Sequence, residues 1–185
     1  MVFVQILGDS WYIFYVFRIG IDNSWKEIAR KEAPRTGIFF QKPIYSGWND
    51  LCLITIDEVI VMDVGKEIIV REYPLPSVSM LDGPGPKYFW MGNRLFCIAW
   101  KDTYYRAYNI YILDSDSGKW SLYHEMGPFD YMAACGRELN IWSVVFRFWI
   151  NDQIIFQVSL CQDQIRNTWP PIINRLHFGY NVKTR

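Results

Sequence analysis

This chain lacks an excess of charge. Lys plus Arg and Asp plus Glu number 19 each, so the formal net charge is zero. A balanced chain sets up no field of one sign to draw nucleic acid or an anionic membrane, and neither is expected as a partner. Histidine is scarce, with only His124 and His177, and no carboxylate or Cys shares the strand face that carries His124. Metal and acid–base sites need converging ligands or partners, so no metal or other cofactor is expected. The nucleophile-elbow pattern GxSxG and the zinc pattern HExxH do not occur, and Gly83-Pro84-Gly85-Pro86 is followed by no Lys-Ser or Lys-Thr that would make it a phosphate loop. The sequence gives no reason to expect an enzyme.

Paired cysteines are missing too. Cys52, Cys97, Cys135 and Cys161 are widely spaced, without a CxxC motif. That spacing points to reduced structural thiols in an intracellular protein, cytoplasmic or nuclear. Long apolar runs are lacking: the longest, residues 11–17, is far too short to span a bilayer. The N-terminus has no basic leader region, and Gln5, Asp9, Ser10 and Arg18 interrupt it, so it reads as strand rather than signal peptide. Nowhere does an apolar period of 3.6 residues persist, and helix is expected to be close to absent.

What the chain has in quantity is apolar and aromatic side chains, 51% and 18% of residues, with nine Trp. They are organised around residues 86–125, PKYFWMGNRLFCIAWKDTYYRAYNIYILDSDSGKWSLYHE. Met91-Gly92-Asn93 reads as a tight turn. Residues 94–100 follow as a strand with two apolar faces, Leu95, Cys97 and Ala99 on one and Phe96, Ile98 and Trp100 on the other, which requires cover on both sides. A polar loop at 101–106 leads to a strand at 108–113. Asp114-Ser115-Asp116-Ser117-Gly118 turns the chain, and residues 119–125 form a third strand whose Trp120, Leu122 and His124 share a face.

The same unit recurs. Strands are expected at 2–6 and 11–19, with a turn at 20–24 and a short strand from Trp25 to Ile28; residues 26–35 then form a charged exposed edge and connection. A second unit starts at the Gly47 turn, with strands at 51–56, 58–63 and 68–73. A fourth starts at Cys135-Gly136-Arg137, with strands at 139–149 and 153–160, an Asn151-Asp152 hairpin turn, and a last strand at 175–180. Gly47, Gly92 and Gly136 recur at about 45 residues, a blade-like spacing. Repeats of this kind predict an all-β fold, a partial β-propeller of about four blade-like antiparallel units, in one domain over residues 1–185 that is incomplete at both ends.

Four segments carry a resemblance to a known family: GNRLFCIAW at 92–100, YILDSDSGKWSLYHEM at 111–126, YVFRIGIDNSWKEI at 15–28 and IVMDVGKEIIVREYPLP at 60–76. They resemble the plant F-box-associated domains, kelch- and propeller-like repeats that follow an F-box, and the likeness spans most of residues 12–158. The resemblance implies a protein-binding module, the substrate-recognition part of an SCF-type ubiquitin ligase, with a substrate protein as partner. A Skp-type adaptor is implied only if an F-box stands upstream, since Met1 opens almost directly on a strand. The alternative reading is a carbohydrate-binding or enzymatic propeller.

Binding would use the loops. Lys101, Asp102, Thr103, Tyr104, Tyr105 and Arg106 combine Tyr and Arg, the residue types that dominate interface hot spots. The same loop also reads as a solvated connection whose tyrosines cap a sheet. Phe146-Arg147-Phe148-Trp149 reads as core with one snorkelling charge rather than as a contact surface. Asp114 and Asp116 read as turn chemistry rather than a cation loop.

Overall fold

The computed structural model describes residues 2–7, 11–32, 44–45, 50–55, 58–77, 86–91, 94–101, 106–136, 141–161 and 173–183. Within them the chain is all-β, arranged as successive antiparallel meanders, the blade-like units that the repeat predicts. The first sheet holds β1 (Val2–Leu7), β2 (Trp11–Val16) and β3 (Lys26–Glu32) in chain order. The second holds β4 (Ile44–Tyr45), β5 (Asp50–Ile54), β6 (Glu58–Asp63) and β7 (Ile68–Pro74). In the third are β8 (Lys87–Met91), β9 (Arg94–Trp100), β10 (Tyr108–Asp114) and β11 (Lys119–Met126). The fourth contains β12 (Ile141–Ile150), β13 (Gln153–Cys161) and β14 (Ile173–Asn181).

Two elements depart from the expected strands of the first and third units. The short strand expected at 25–28 extends as β3 over residues 26–32, within the stretch expected as a charged exposed edge and connection, because an edge strand carries charge without burying it. Residues 87–91 add β8 ahead of the strand expected at 94, and Met91, the first residue of the expected turn, ends it; Gly92 and Asn93 lie outside the described residues. One short helix, α1 (Tyr131–Cys135), stands between the third and fourth sheets in sequence. Its start is capped by Asp130 Oδ1, which accepts from the Ala133 N–H at 2.9 Å, and Gly136 closes it in the left-handed region at φ 69.

By its contacts the chain falls into two compact units: residues 1–76 with 92–94 and 114–119, and residues 77–91 with 95–113 and 120–185. In the first unit, register places Leu51 against Met62 and Leu53 against Ile60 on one face of the second sheet. These four pack with Tyr12 and Phe14 of β2 into one core. Cys52, Ile54, Val59 and Val61 occupy the opposite face and are equally buried. Strands buried on both faces were the expectation for such inner positions.

The second unit packs the third sheet on the fourth. Phe96 and Ile98 of β9, with Tyr108 and Ile110 of β10, meet Val144, Phe146 and Trp149 of β12 and Ile154, Phe156 and Val158 of β13. Aromatic rings lock the layer. Phe96 and Trp149 lie 4.7 Å apart, Tyr108 and Phe146 meet edge-on at 4.9 Å, and Phe156 stacks on Phe178 at 5.5 Å. A bulge sets which side chains enter this core. Phe146 pairs with Phe156 and Phe148 with Ile155, leaving Arg147 as an extra residue. Arg147 and Phe148 therefore both point outward while Trp149 returns to the core, and Phe148 is 60% exposed. The expectation that all four of residues 146–149 form core with one snorkelling charge is thus corrected for Phe148.

Candidate protein-binding surfaces

The polar loop singled out in the sequence is anchored at its two described ends. The Lys101 N–H donates to the Ala107 carbonyl at 2.9 Å, and Lys101 Nζ pairs with Glu125 Oε1 at 2.9 Å across to β11. The Arg106 carbonyl accepts from the Phe129 N–H at 2.8 Å. Phe129 is in turn held in the core by Phe156 and Tyr180. Gly127 makes this contact possible: its φ is +94, and a Cβ there would stand 2.3 Å from the Arg106 carbonyl oxygen. Both Lys101 and Arg106 are exposed. Asp102, Thr103, Tyr104 and Tyr105 lie outside the described residues.

A second surface is hidden in the sequence, which reads as strand over residues 11–19. β2 ends at Val16, and the chain turns at 18–22 with Ile19 and Ile21 exposed at 77% and 71%. The turn is tied rather than loose. Ile21 and Asp22 N–H groups donate to the Arg18 carbonyl at 3.1 and 3.0 Å. The Arg18 guanidinium forks onto the Asp22 carboxylate, Nη2 to Oδ1 at 2.8 Å and Nε to Oδ2 at 3.0 Å, and the Arg18 N–H adds a bond at 2.8 Å. These hydrogen bonds from Arg18 hold the Asp22 carboxyl at about 2. Glu67, at the β6–β7 turn, accepts from Lys26 at 2.6 Å and reaches Arg18 at 3.4 Å. Phe17 and Trp25 close the base of the hairpin with ring centroids 5.4 Å apart, and Trp25 stays 43% exposed. The result is an apolar tip on a rigid, charge-compensated stem. The only sequence signals for it are RIGID itself, a Gly between two isoleucines, and opposite charges four residues apart.

The other candidates take structural roles. Asp114 builds its turn: Oδ2 accepts from Ser117 Oγ at 2.6 Å, Oδ1 from the Asp116 N–H at 3.0 Å, and its carbonyl from the Gly118 N–H at 2.8 Å. Those bonds, the Ser117 hydroxyl first, lower its carboxyl. That turn adjoins β7 in the first unit, where Arg71 Nη1 and Tyr73 Oη both donate to the Ser115 carbonyl at 3.1 Å. His124 Nε2 lies 2.8 Å from Tyr180 Oη, and His177 is exposed on β14. Burial pushes the thiols of Cys52 and Cys97 up to about 12, Asp50 adding to the first and a Tyr88 hydrogen bond opposing the second. Such thiols are inert packing groups. Among the described residues no three of His, Cys, Asp and Glu gather as a metal site would require, and no helix is long and apolar enough to cross a membrane.

No protein-family model and no curated protein matches the chain. Among solved structures it is similar to the N-terminal domain of Nup159, at a TM-score of 0.46 and 9% identity, covering 95% of this chain and 43% of that one. A complex of S. cerevisiae Dbp5 bound to Nup159 and Gle1 matches at a TM-score of 0.43 and 9% identity, again over 95% and 43%. The chain thus spans less than half the length of these two structures.

Proposed function

We propose that this chain is a protein-binding module that recognises a substrate for a ubiquitin ligase, in the manner implied by its resemblance to the F-box-associated domains. The observation that carries the binding part is the tip at Ile19, Ile21 and Trp25. Two isoleucines more than two-thirds exposed have no packing role in the described fold. The turn beneath them is fixed by a forked ion pair and two backbone hydrogen bonds. A pre-ordered apolar knob loses little entropy on docking, and burying a single Ile side chain contributes roughly 1.5–3 kcal/mol. Lys101 and Arg106, with Asp102, Tyr104 and Tyr105 between them, form the second contact region. The ligase part rests on the resemblance of residues 15–28, 60–76, 92–100 and 111–126.

The test is quantitative affinity capture comparing wild type with Ile19→Asp/Ile21→Asp and with Lys101→Glu/Arg106→Glu. The proposal expects a small set of proteins retained by wild type and lost from at least one variant, with all three chains equally folded by circular dichroism. Identical captured sets for the three would contradict it.

A further inference from the structure

The two faces of the fourth sheet are built from different chemistry. One is the apolar core face of Phe146, Phe156 and Val158. On the other, alternation along β13 places Gln157 and Ser159, 5% and 6% exposed and therefore buried in a strand where apolar residues would serve packing better. A hydrogen-bond chain satisfies them: Arg147 Nη2 donates to Gln157 Oε1 at 2.9 Å, and Gln157 Nε2 donates to Ser159 Oγ at 3.3 Å. Register sets Arg175 beside Ser159 and His177 beside Gln157 on β14. Arg147, Arg175 and His177 are all exposed, and among the described residues no carboxylate forms an ion pair with either arginine. The bulge that turned Arg147 outward also presents Phe148, and Ile150 follows, each 60% exposed. Asp152, at the adjoining turn, is taken up by Lys183 at 2.8 Å.

We propose that this face of the fourth sheet, Arg147 and Arg175 with His177, Phe148 and Ile150, docks an acidic peptide segment that carries an apolar anchor. The inference rests on the protein-binding reading and adds the chemistry of the partner. Laying a further apolar sheet on this face would strip water from both guanidinium groups, which is costly without anionic partners. Carboxylates answer that need, since guanidinium forks pair with them bidentately. Gln157 holds the Arg147 side chain in place through one N–H, leaving its other donors for a ligand. The apolar pair distinguishes a peptide from a nucleic-acid strand: Phe148 and Ile150 lie at the end of the cationic face and offer burial to a Leu or Phe side chain, whereas a phosphate backbone would call for more cations in line.

The experiment measures fluorescence anisotropy of a labelled twelve-residue peptide alternating Glu with Leu and Phe. Comparison probes are the same peptide with Lys for Glu, an all-Glu peptide and a twelve-nucleotide oligo-dT. The expected result is saturable binding of the first peptide only, weakened at least tenfold by Arg175→Glu or Arg147→Gln and severalfold by Phe148→Ser. Between 50 and 500 mM salt the binding should also fall severalfold, since exposed charge pairs are screened. Arg30→Glu, on the first sheet, serves as the control and leaves it unchanged. The inference is overturned if no saturable binding occurs, if the sheet variants leave binding intact, or if oligo-dT binds as well as the peptide. Proteins captured by wild type and equally by Arg175→Glu would remove the acidic-partner surface while leaving the protein-binding module standing.

Discussion

At the scale of single residues, the Arg18–Asp22 fork and Gly127 define the two candidate loops, and each makes a checkable statement. The folded pKa of Asp22, about 2, lies below the ordinary value of 3.8, chiefly because of the Arg18 hydrogen bonds. A depressed carboxylate contributes stability that is complete above the unfolded pKa and is lost as pH falls through the folded one. The tip should therefore stay ordered at pH 5 and loosen only between about 4 and 2. An NMR titration of the Asp22 carboxyl with a midpoint near 3.8 would show the fork to be absent in solution. Gly127→Ala places a Cβ against the Arg106 carbonyl at a positive φ. Strain of that kind costs on the order of 1–3 kcal/mol, to be read in urea unfolding; a variant as stable as wild type would mean that the loop base is not packed as described. Thiol chemistry gives a third check. Partly exposed Cys135 should be alkylated in the native protein while buried Cys52 and Cys97 react only on unfolding, as peptide mapping would record.

At the scale of elements, the β12 bulge is the informative feature. Deleting Arg147 leaves Phe146 opposite Phe156 and Phe148 opposite Ile155, so the faces of β12 are preserved. The expected cost is that of leaving buried Gln157 short of a partner, about 1–3 kcal/mol. Deleting Val145 instead shifts everything before it by one position, turning Val144 out of the core; that variant should lose cooperative unfolding. Equal effects of the two deletions would contradict the assigned register. The bulge also marks what the sequence could tell. Strands with two apolar faces, at 51–54 and 95–100, were legible because every position is apolar, and the turns at 114–118 and 151–152 because Asp, Asn and Gly spell them out. In FRFW nothing announces an inserted residue, since strict alternation and a bulge read alike until the partner strand is in place. The start and edge position of β3 were legible, but not its run to residue 32, because charges that mark a connection also suit an edge strand.

At the scale of the whole molecule, the described residues form four blade-like sheets, each of the two units holds an apolar core, and the candidate surfaces lie outside those cores. The frame was legible in the apolar strands; of the recurring glycines, Gly136 closes α1 in the left-handed region, and Gly47 and Gly92 lie outside the described residues. The candidate surfaces were legible only in part. Lys101 and Arg106 stand out as exposed charges in a Tyr-bearing loop, whereas Ile19 and Ile21 look like strand until the chain is seen to leave the sheet at Val16. A zero net charge leaves recognition to local patches, consistent with a knob whose charges are paired internally and a sheet face whose arginines form no ion pair among the described residues. The most direct measurement grafts the chain behind an F-box and follows protein abundance in cells with and without a proteasome inhibitor. The expected result is that one or a few proteins fall, recover with the inhibitor, and no longer fall when the graft carries Ile19→Asp/Ile21→Asp. No depletion by the wild-type graft, or depletion that the double substitution leaves untouched, would contradict it.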